Sequence, residues 1–225
     1  MQKQELNDQK SNALFGLDTY QRLKQLKILD LYGTQISSIE PKLFVGLDNL
    51  DQLDLSVNQI SKIVENSFQG LKLLKHLNLM ENQISSIEPK WFVGLYNLEE
   101  LYLSENKLSK IEGNSFQGLK QLKILDLREN QISSIEQKWF VGLYNLEELH
   151  LYGNHLSKIE ENLFQDLKQL KILDLRENQI SSIEPKWFER LYNLEELYLS
   201  GNKLSNLFQD LKQLKRLFLR FNRII

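Results

Sequence analysis

Apolar residues return along this 225-residue chain in one repeated pattern, L-x-x-L-x-L-x-x-N-x-[IL]. The interval between successive frames is 24 residues, except for a final interval of 20 residues. A strict period of this length predicts a solenoid in which each unit packs against its neighbours. The frames begin at Leu26, Leu50, Leu74, Leu98, Leu122, Leu146, Leu170, Leu194 and Leu214.

Each frame predicts one short strand followed by a turn. In the frame from Leu122, Leu125 and Leu127 alternate with polar residues, as in a strand with one buried face. Asn130 follows where the chain must turn, and its side chain can bond backbone groups of a buried bend. We interpret two columns as core and spine: Asn58, Asn82, Asn106, Asn130, Asn154, Asn178, Asn202 and Asn222, with Thr34 in the first frame; and Phe44, Phe68, Phe92, Phe116, Phe140, Phe164, Phe188 and Phe208.

Nearly the whole chain resembles the leucine-rich repeat family. The 24-residue frame with I-x-x-I-x-x-x-x-F-x-x-L is similar to the "typical" subclass found in Toll-like receptors, Slit proteins and variable lymphocyte receptors. The resemblance implies an α/β right-handed solenoid, or horseshoe, with a concave parallel sheet of about nine strands and a mostly irregular convex side. The run of frames places the repeat domain at residues 26–225, after a tail and capping segment at residues 1–25. In that segment Leu14, Phe15, Leu17 and Tyr20 are apolar enough to cap the first frame.

Composition limits the class of protein further. The net charge is −2, no apolar run approaches the roughly 20 residues of a membrane span, and the polar start predicts no signal peptide. The chain has no cysteine, which excludes disulfides and thiolate metal sites and departs from the cysteine-rich caps of extracellular family members. We expect an extracellular or secreted location, with the cytoplasm as the alternative.

Five side chains per frame point outward from the predicted concave sheet. One column alternates in sign at every step: Lys27, Asp51, Lys75, Glu99, Lys123, Glu147, Lys171, Glu195 and Lys215. In-register parallel strands lie about 4.8 Å apart, so each charge is expected between two opposite charges. We interpret this column as structural.

Two other columns place aromatic and guanidinium groups together. Tyr and Arg often anchor protein interfaces, although aromatic residues also simply favour strands. We therefore predict a ligand-binding site at Tyr102, Arg128, His150, Tyr152, Arg176, Tyr198, Phe218 and Arg220. Segments 81–108 and 129–156 differ at five positions, three of them on this face (102/150, 104/152 and 105/153). Relaxed surface drift and diversification of a binding face both explain that bias.

The charge of the predicted face indicates the kind of partner. Its outward positions carry nine basic and fifteen acidic residues, a net of −6, against −2 for the whole chain. Nucleic-acid binding needs clustered positive charge, so we expect no nucleic acid and a protein ligand with a basic or mixed surface.

An enzyme is not expected, and neither is a cofactor or a metal. His76 and His150 lie three frames apart, about 14 Å at sheet spacing, which is too far to share a metal ion. The sequence contains no nucleophile elbow, phosphate-binding glycine loop or H-E-x-x-H. The plentiful carboxylates are interleaved with lysine rather than paired in a cleft.

Three functional hypotheses follow. The first is a protein-recognition module, of receptor, adhesion or immune type, that uses the concave face. The second is an assembly element that self-associates through an open C-terminal edge (Phe221, Ile224 and Ile225) or through a convex stripe of Trp91, Trp139 and Trp187. Packing of these tryptophans against neighbouring turns is the favoured interpretation. The third is an intracellular or host-directed docking or inhibitor protein.

Overall fold

The computed structural model describes residues 24–184, 187–188, 190–205 and 214–222, and the predicted N-terminal cap, Phe208, Ile224 and Ile225 lie outside these ranges. Short parallel strands are the main regular secondary structure of the described chain. They are β1 (Ile28–Asp30), β2 (Ser38–Ile39), β3 (Gln52–Asp54), β4 (Lys62–Ile63), β5 (His76–Asn78), β6 (Ser86–Ile87), β7 (Glu100–Tyr102), β8 (Lys110–Ile111), β9 (Ile124–Asp126), β10 (Glu148–His150), β11 (Ile172–Asp174), β12 (Glu196–Tyr198) and β13 (Arg216–Phe218).

One strand from every frame joins a single nine-stranded sheet in the order β1-β3-β5-β7-β9-β10-β11-β12-β13. All its pairings are parallel, and equivalent leucines of adjacent frames are partners, as Leu149 is with Leu173. The shortened last frame keeps this register, because Leu197 pairs with Leu217. The predicted strand count and in-register stacking are therefore confirmed.

The segments that follow the sheet strands are more regular than the sequence predicts. β2 pairs with β4 and β6 pairs with β8, which forms two small parallel sheets. A single-turn 3-10 helix at Gln137–Phe140 is the one helical element whose bounds lie wholly within the described residues. The solenoid thus consists almost entirely of short strands and turns.

The core runs between these layers as stacked apolar columns. The strand leucines from Leu53 to Leu197 are buried, whereas Leu29 and Leu217 in the end strands are more exposed. Consecutive phenylalanine rings of the spine lie about one frame apart, with 6.0 Å between the centroids of Phe44 and Phe68. Trp91, Trp139 and Trp187 are only 3–5% exposed. The favoured packing interpretation of the tryptophans is confirmed, and the alternative of an exposed tryptophan stripe is wrong because the indole rings complete this core.

The asparagine column forms a buried ladder. The Asn130 side chain donates to Leu103 O at 3.0 Å in the preceding frame and to Leu127 O at 3.2 Å in its own frame. Its Oδ1 accepts from the backbone N–H of Leu108 at 2.9 Å. In the first frame the Thr34 hydroxyl donates to Leu31 O and to Asn58 Oδ1. The ladder therefore meets the backbone's hydrogen-bonding needs at each buried bend.

Candidate ligand-binding surface

The alternating charge column lies on the surface of the sheet, with its lysines exposed and its acids half-buried. Each lysine pairs with the acid of the preceding frame: Lys75 with Asp51 at 3.3 Å, Lys123 with Glu99 at 2.6 Å, Lys171 with Glu147 at 2.5 Å and Lys215 with Glu195 at 2.7 Å. Hydrogen bonds from Lys123 and Lys215 lower the pKa of Glu99 and of Glu195. These salt bridges join frames in pairs, so most of these charges have one close partner rather than the predicted two.

In three alternate frames, a glutamate carboxylate contacts the aromatic side chain that follows it by two residues. The Tyr102 hydroxyl donates to Glu100 at 2.8 Å, His150 Nε2 lies 3.1 Å from Glu148, and the Tyr198 hydroxyl donates to Glu196. Residues two apart on a strand share a face, which brings each pair together. Burial raises the pKa of Tyr102, and the Glu196 hydrogen bond raises that of Tyr198.

The two frames between them hold an arginine with an aspartate. Arg128 donates through Nε and Nη2 to Asp126 at 2.9 and 2.7 Å, and Arg176 does the same with Asp174 at 2.9 and 2.6 Å. The two aspartates are only 1% and 3% exposed. Their hydrogen bonds raise the pKa of both guanidinium groups. Each arginine is thus fixed in place with one edge of its fork already occupied.

The C-terminal part of the face forms a continuous stack. The guanidinium carbon of Arg176 lies 5.3 Å from the ring centroid of Tyr152 and 5.1 Å from that of Tyr198. Phe218 continues the stack, because its ring is parallel to Tyr198 with 4.4 Å between centroids. Cation–π contacts of this kind hold side chains in a defined arrangement. We call Tyr152, Arg176, Tyr198 and Phe218 the aromatic stack.

The structure therefore brings together half of the predicted site residues and places the others around them. Arg128 lies one frame before the stack, His150 lies in the same frame as Tyr152, and Arg220 is exposed beyond Phe218. Tyr102 belongs to a separate group, since its partner Glu100 also pairs with His76 at 2.8 Å. The predicted binding role of these residues stays a prediction.

Sequence reasoning missed the carboxylates that support the site. Glu100, Glu148, Glu196, Asp126 and Asp174 each precede their aromatic or arginine partner by two residues. That spacing within a strand is the signal that could have identified them. Sequence reasoning also missed a shallow depression of about 270 Å³ at the N-terminal end, lined by Ile28, Asp30, Gln52, Leu53, Asp54, His76, Asn78 and Tyr102.

The described residues contain no group of three or more His, Asp or Glu side chains placed to hold a metal ion. No helix in those same ranges is long and apolar enough to cross a membrane.

Comparisons with known proteins place this geometry in a family. The leucine-rich repeat model matches residues 24–84, 73–132, 120–180 and 168–224, so the chain belongs to the leucine-rich repeat family. Proteins with this fold are typically non-enzymatic interaction modules. A comparison with curated protein sequences finds no match.

Two solved structures are similar over most of the chain. One is TLR13 in its complex with ssRNA13, with 34% identity, a TM-score of 0.86 and coverage of 92% of this chain and 31% of that one. The other is a leucine-rich repeat protein of Leptospira interrogans, with 32% identity, a TM-score of 0.74 and coverage of 82% of this chain and 46% of that one. The chain thus spans less than half the length of either protein.

Proposed function

We propose that the chain is a non-catalytic recognition module that binds a protein ligand on its concave face through the aromatic stack. The observation that carries the proposal is Arg176, held between Tyr152 and Tyr198 and bonded to the nearly buried Asp174. Rigid aromatic and guanidinium groups lose little conformational entropy on binding, and Tyr and Arg dominate interface hot spots.

The charges of the face favour a protein over a nucleic acid. Arg128 and Arg176 already donate to carboxylates, which reduces their capacity to hold phosphate. Acidic side chains also outnumber basic ones at the outward positions. The TLR13 structure contains single-stranded RNA, so RNA is the competing ligand class. A basic or mixed protein surface complements this face better.

Affinity capture with the chain as bait tests the proposal. We expect Tyr152→Ala and Tyr198→Ala each to weaken binding of a captured protein by about 1–3 kcal/mol without unfolding the chain. Tyr32→Ala is the matched control, because Tyr32 is exposed at the same frame position as Tyr152 but lies in the first frame, five frames away. Capture that both the Tyr152 and Tyr198 variants retain, or that ribonuclease abolishes, would contradict the proposal.

Location and biological class belong to the same proposal. Similarity to TLR13 supports a receptor-like role, for which we propose an extracellular or secreted location. The missing cysteines keep open the alternative of an intracellular docking or inhibitor protein. Detection of the chain in culture medium rather than in washed cells distinguishes the two. Self-association remains the alternative from a different class, and light scattering across concentrations tests it.

A further inference from the structure

A second surface lies on one side of the solenoid, away from the concave sheet. It consists of the two residues that precede the first leucine of each frame from Leu26 to Leu194, and we call these sixteen positions the flank. All of them are exposed. From residue 72 the first position of each pair alternates strictly between lysine and tyrosine: Lys72, Tyr96, Lys120, Tyr144, Lys168 and Tyr192.

The tyrosines of the flank are largely exposed. Tyr96, Tyr144 and Tyr192 are 61%, 58% and 69% exposed, whereas Tyr102 and Tyr198 on the concave face are half-buried. Monomeric proteins expose single apolar residues routinely, but three large rings at one repeated position form an ordered row. Such a row indicates an interaction surface.

Hydrogen bonds between frames fix the spacing of this row. The asparagine after each tyrosine donates to the backbone carbonyl of the lysine one frame earlier: Asn97 to Lys72 O at 2.6 Å, Asn145 to Lys120 O at 2.8 Å and Asn193 to Lys168 O at 2.7 Å. Neighbouring frames lie about 4.8 Å apart, so the tyrosines recur about every 10 Å with one lysine between them. The asparagine Oδ1 atoms remain available to accept hydrogen bonds from a ligand.

The charge of the flank is opposite to that of the concave face. Its sixteen positions carry four lysines and one aspartate, a net of +3, against −6 for the outward positions of the sheet. The remaining positions are tyrosine, asparagine and glutamine, with one leucine. The flank therefore offers aromatic faces, amide hydrogen bonds and a single positive charge in each two-frame unit.

We propose that the flank binds a linear acidic polysaccharide in which an uronic acid alternates with an uncharged sugar. The tyrosine rings stack on the apolar faces of the uncharged sugars, and the lysines pair with the uronate carboxylates. The asparagine Oδ1 atoms accept hydrogen bonds from the sugar hydroxyls. An extended disaccharide of this type is about as long as the two-frame spacing. A single nucleic-acid strand carries a phosphate every few ångströms, more densely than the lysines can match.

Calorimetry with a hyaluronan octasaccharide tests the proposal on the full chain. We expect binding that weakens about tenfold or more when Tyr96, Tyr144 and Tyr192 are all changed to alanine. Changing Lys72, Lys120 and Lys168 to glutamine should weaken binding similarly and flatten its dependence on salt. Tyr152→Ala on the concave face should leave the affinity unchanged, which separates this proposal from the concave-face function.

The remaining outcomes would overturn the proposal. They are the absence of binding by the octasaccharide, equal affinity for an uncharged chitin octasaccharide, and tighter binding of poly-uridine of equal charge. Self-association that the tyrosine substitutions abolish, without any glycan binding, would assign the flank to a second copy of the chain instead. Because all six substituted side chains are exposed, an unchanged thermal midpoint confirms that the variants fold.

Discussion

Two polar ladders run along the same coil with one member in each frame, and they differ in burial. The asparagine ladder lies inside the turn, where Asn130 bonds the backbone of two frames. The lysine–acid ladder lies on the sheet surface, where Lys123 pairs with Glu99 in water. Equal repetition therefore does not imply equal energetic importance, because a buried polar group without a partner costs far more than an exposed ion pair contributes.

The largest effect is expected from breaking the buried ladder. Asn130→Ala should lower the free energy of unfolding by about 3 kcal/mol, because the buried backbone N–H of Leu108 loses Asn130 Oδ1. Leu103 O and Leu127 O suffer less, since each also accepts from the asparagine of a neighbouring frame, Asn106 and Asn154 respectively. Urea denaturation of the variant measures the change.

Thr34→Ala is the matched control for that substitution. Thr34 occupies the same frame position but donates only to Leu31 O and Asn58 Oδ1, and both of these acceptors have another donor. Its loss should cost about 1 kcal/mol. Equal costs for the two variants would show that frame position, rather than buried hydrogen bonding, determines the importance of the ladder.

The salt bridge between Arg176 and Asp174 is intermediate in burial between the two ladders. Arg176→Ala should cost about 2 kcal/mol, because it leaves the nearly buried Asp174 without its guanidinium partner and opens the aromatic stack. Asp174 keeps its hydrogen bond from the backbone N–H of residue 176, which limits the loss. Arg220→Ala, at the equivalent exposed position, is the control and should change stability by less than about 0.5 kcal/mol. A cost for Arg176→Ala no larger than this control would refute the structural role of the pair.

The same contrast explains how much of the structure was predictable from sequence. The asparagine ladder and the strand leucines repeat with the frame, so the pairing of Leu149 with Leu173 is predictable from the sequence alone. The carboxylates of the concave face repeat only every second frame, and which neighbour each one contacts depends on rotamers. The alternating signs therefore predicted that Lys123 lies between two acids. Only the structure shows that it forms its salt bridge with Glu99 of the preceding frame rather than with Glu147 of the following frame.

The turn between the ladders offers a smaller, stabilising change. Glu105 has a φ of 53°, in the left-handed region, where Gly153 and Gly201 stand in equivalent frames. Glu105→Gly should stabilise the chain by about 0.5 kcal/mol, because glycine adopts this conformation without the steric cost of a Cβ atom. Thermal melting of this variant beside Gly153→Ala, which should be destabilised, checks the sign. A destabilised Glu105→Gly would mean that the glutamate side chain contributes more than its backbone strain costs.

The smallest effect on stability is expected from the lysine–acid ladder, and the pKa of Glu99 is the most sensitive measure of it. The folded pKa of Glu99 is lowered mainly by its hydrogen bond from Lys123, so this interaction stabilises the fold above the ordinary carboxyl value and is lost as the pH falls through the lowered pKa. Lys123→Gln should therefore raise the pKa of Glu99 in an NMR titration while barely changing stability at neutral pH. Lys75→Gln should raise it less, because Lys75 acts on Glu99 only through its charge. Equal rises in both variants would mean that the ladder acts as a diffuse field and that the pairing of frames has no energetic consequence.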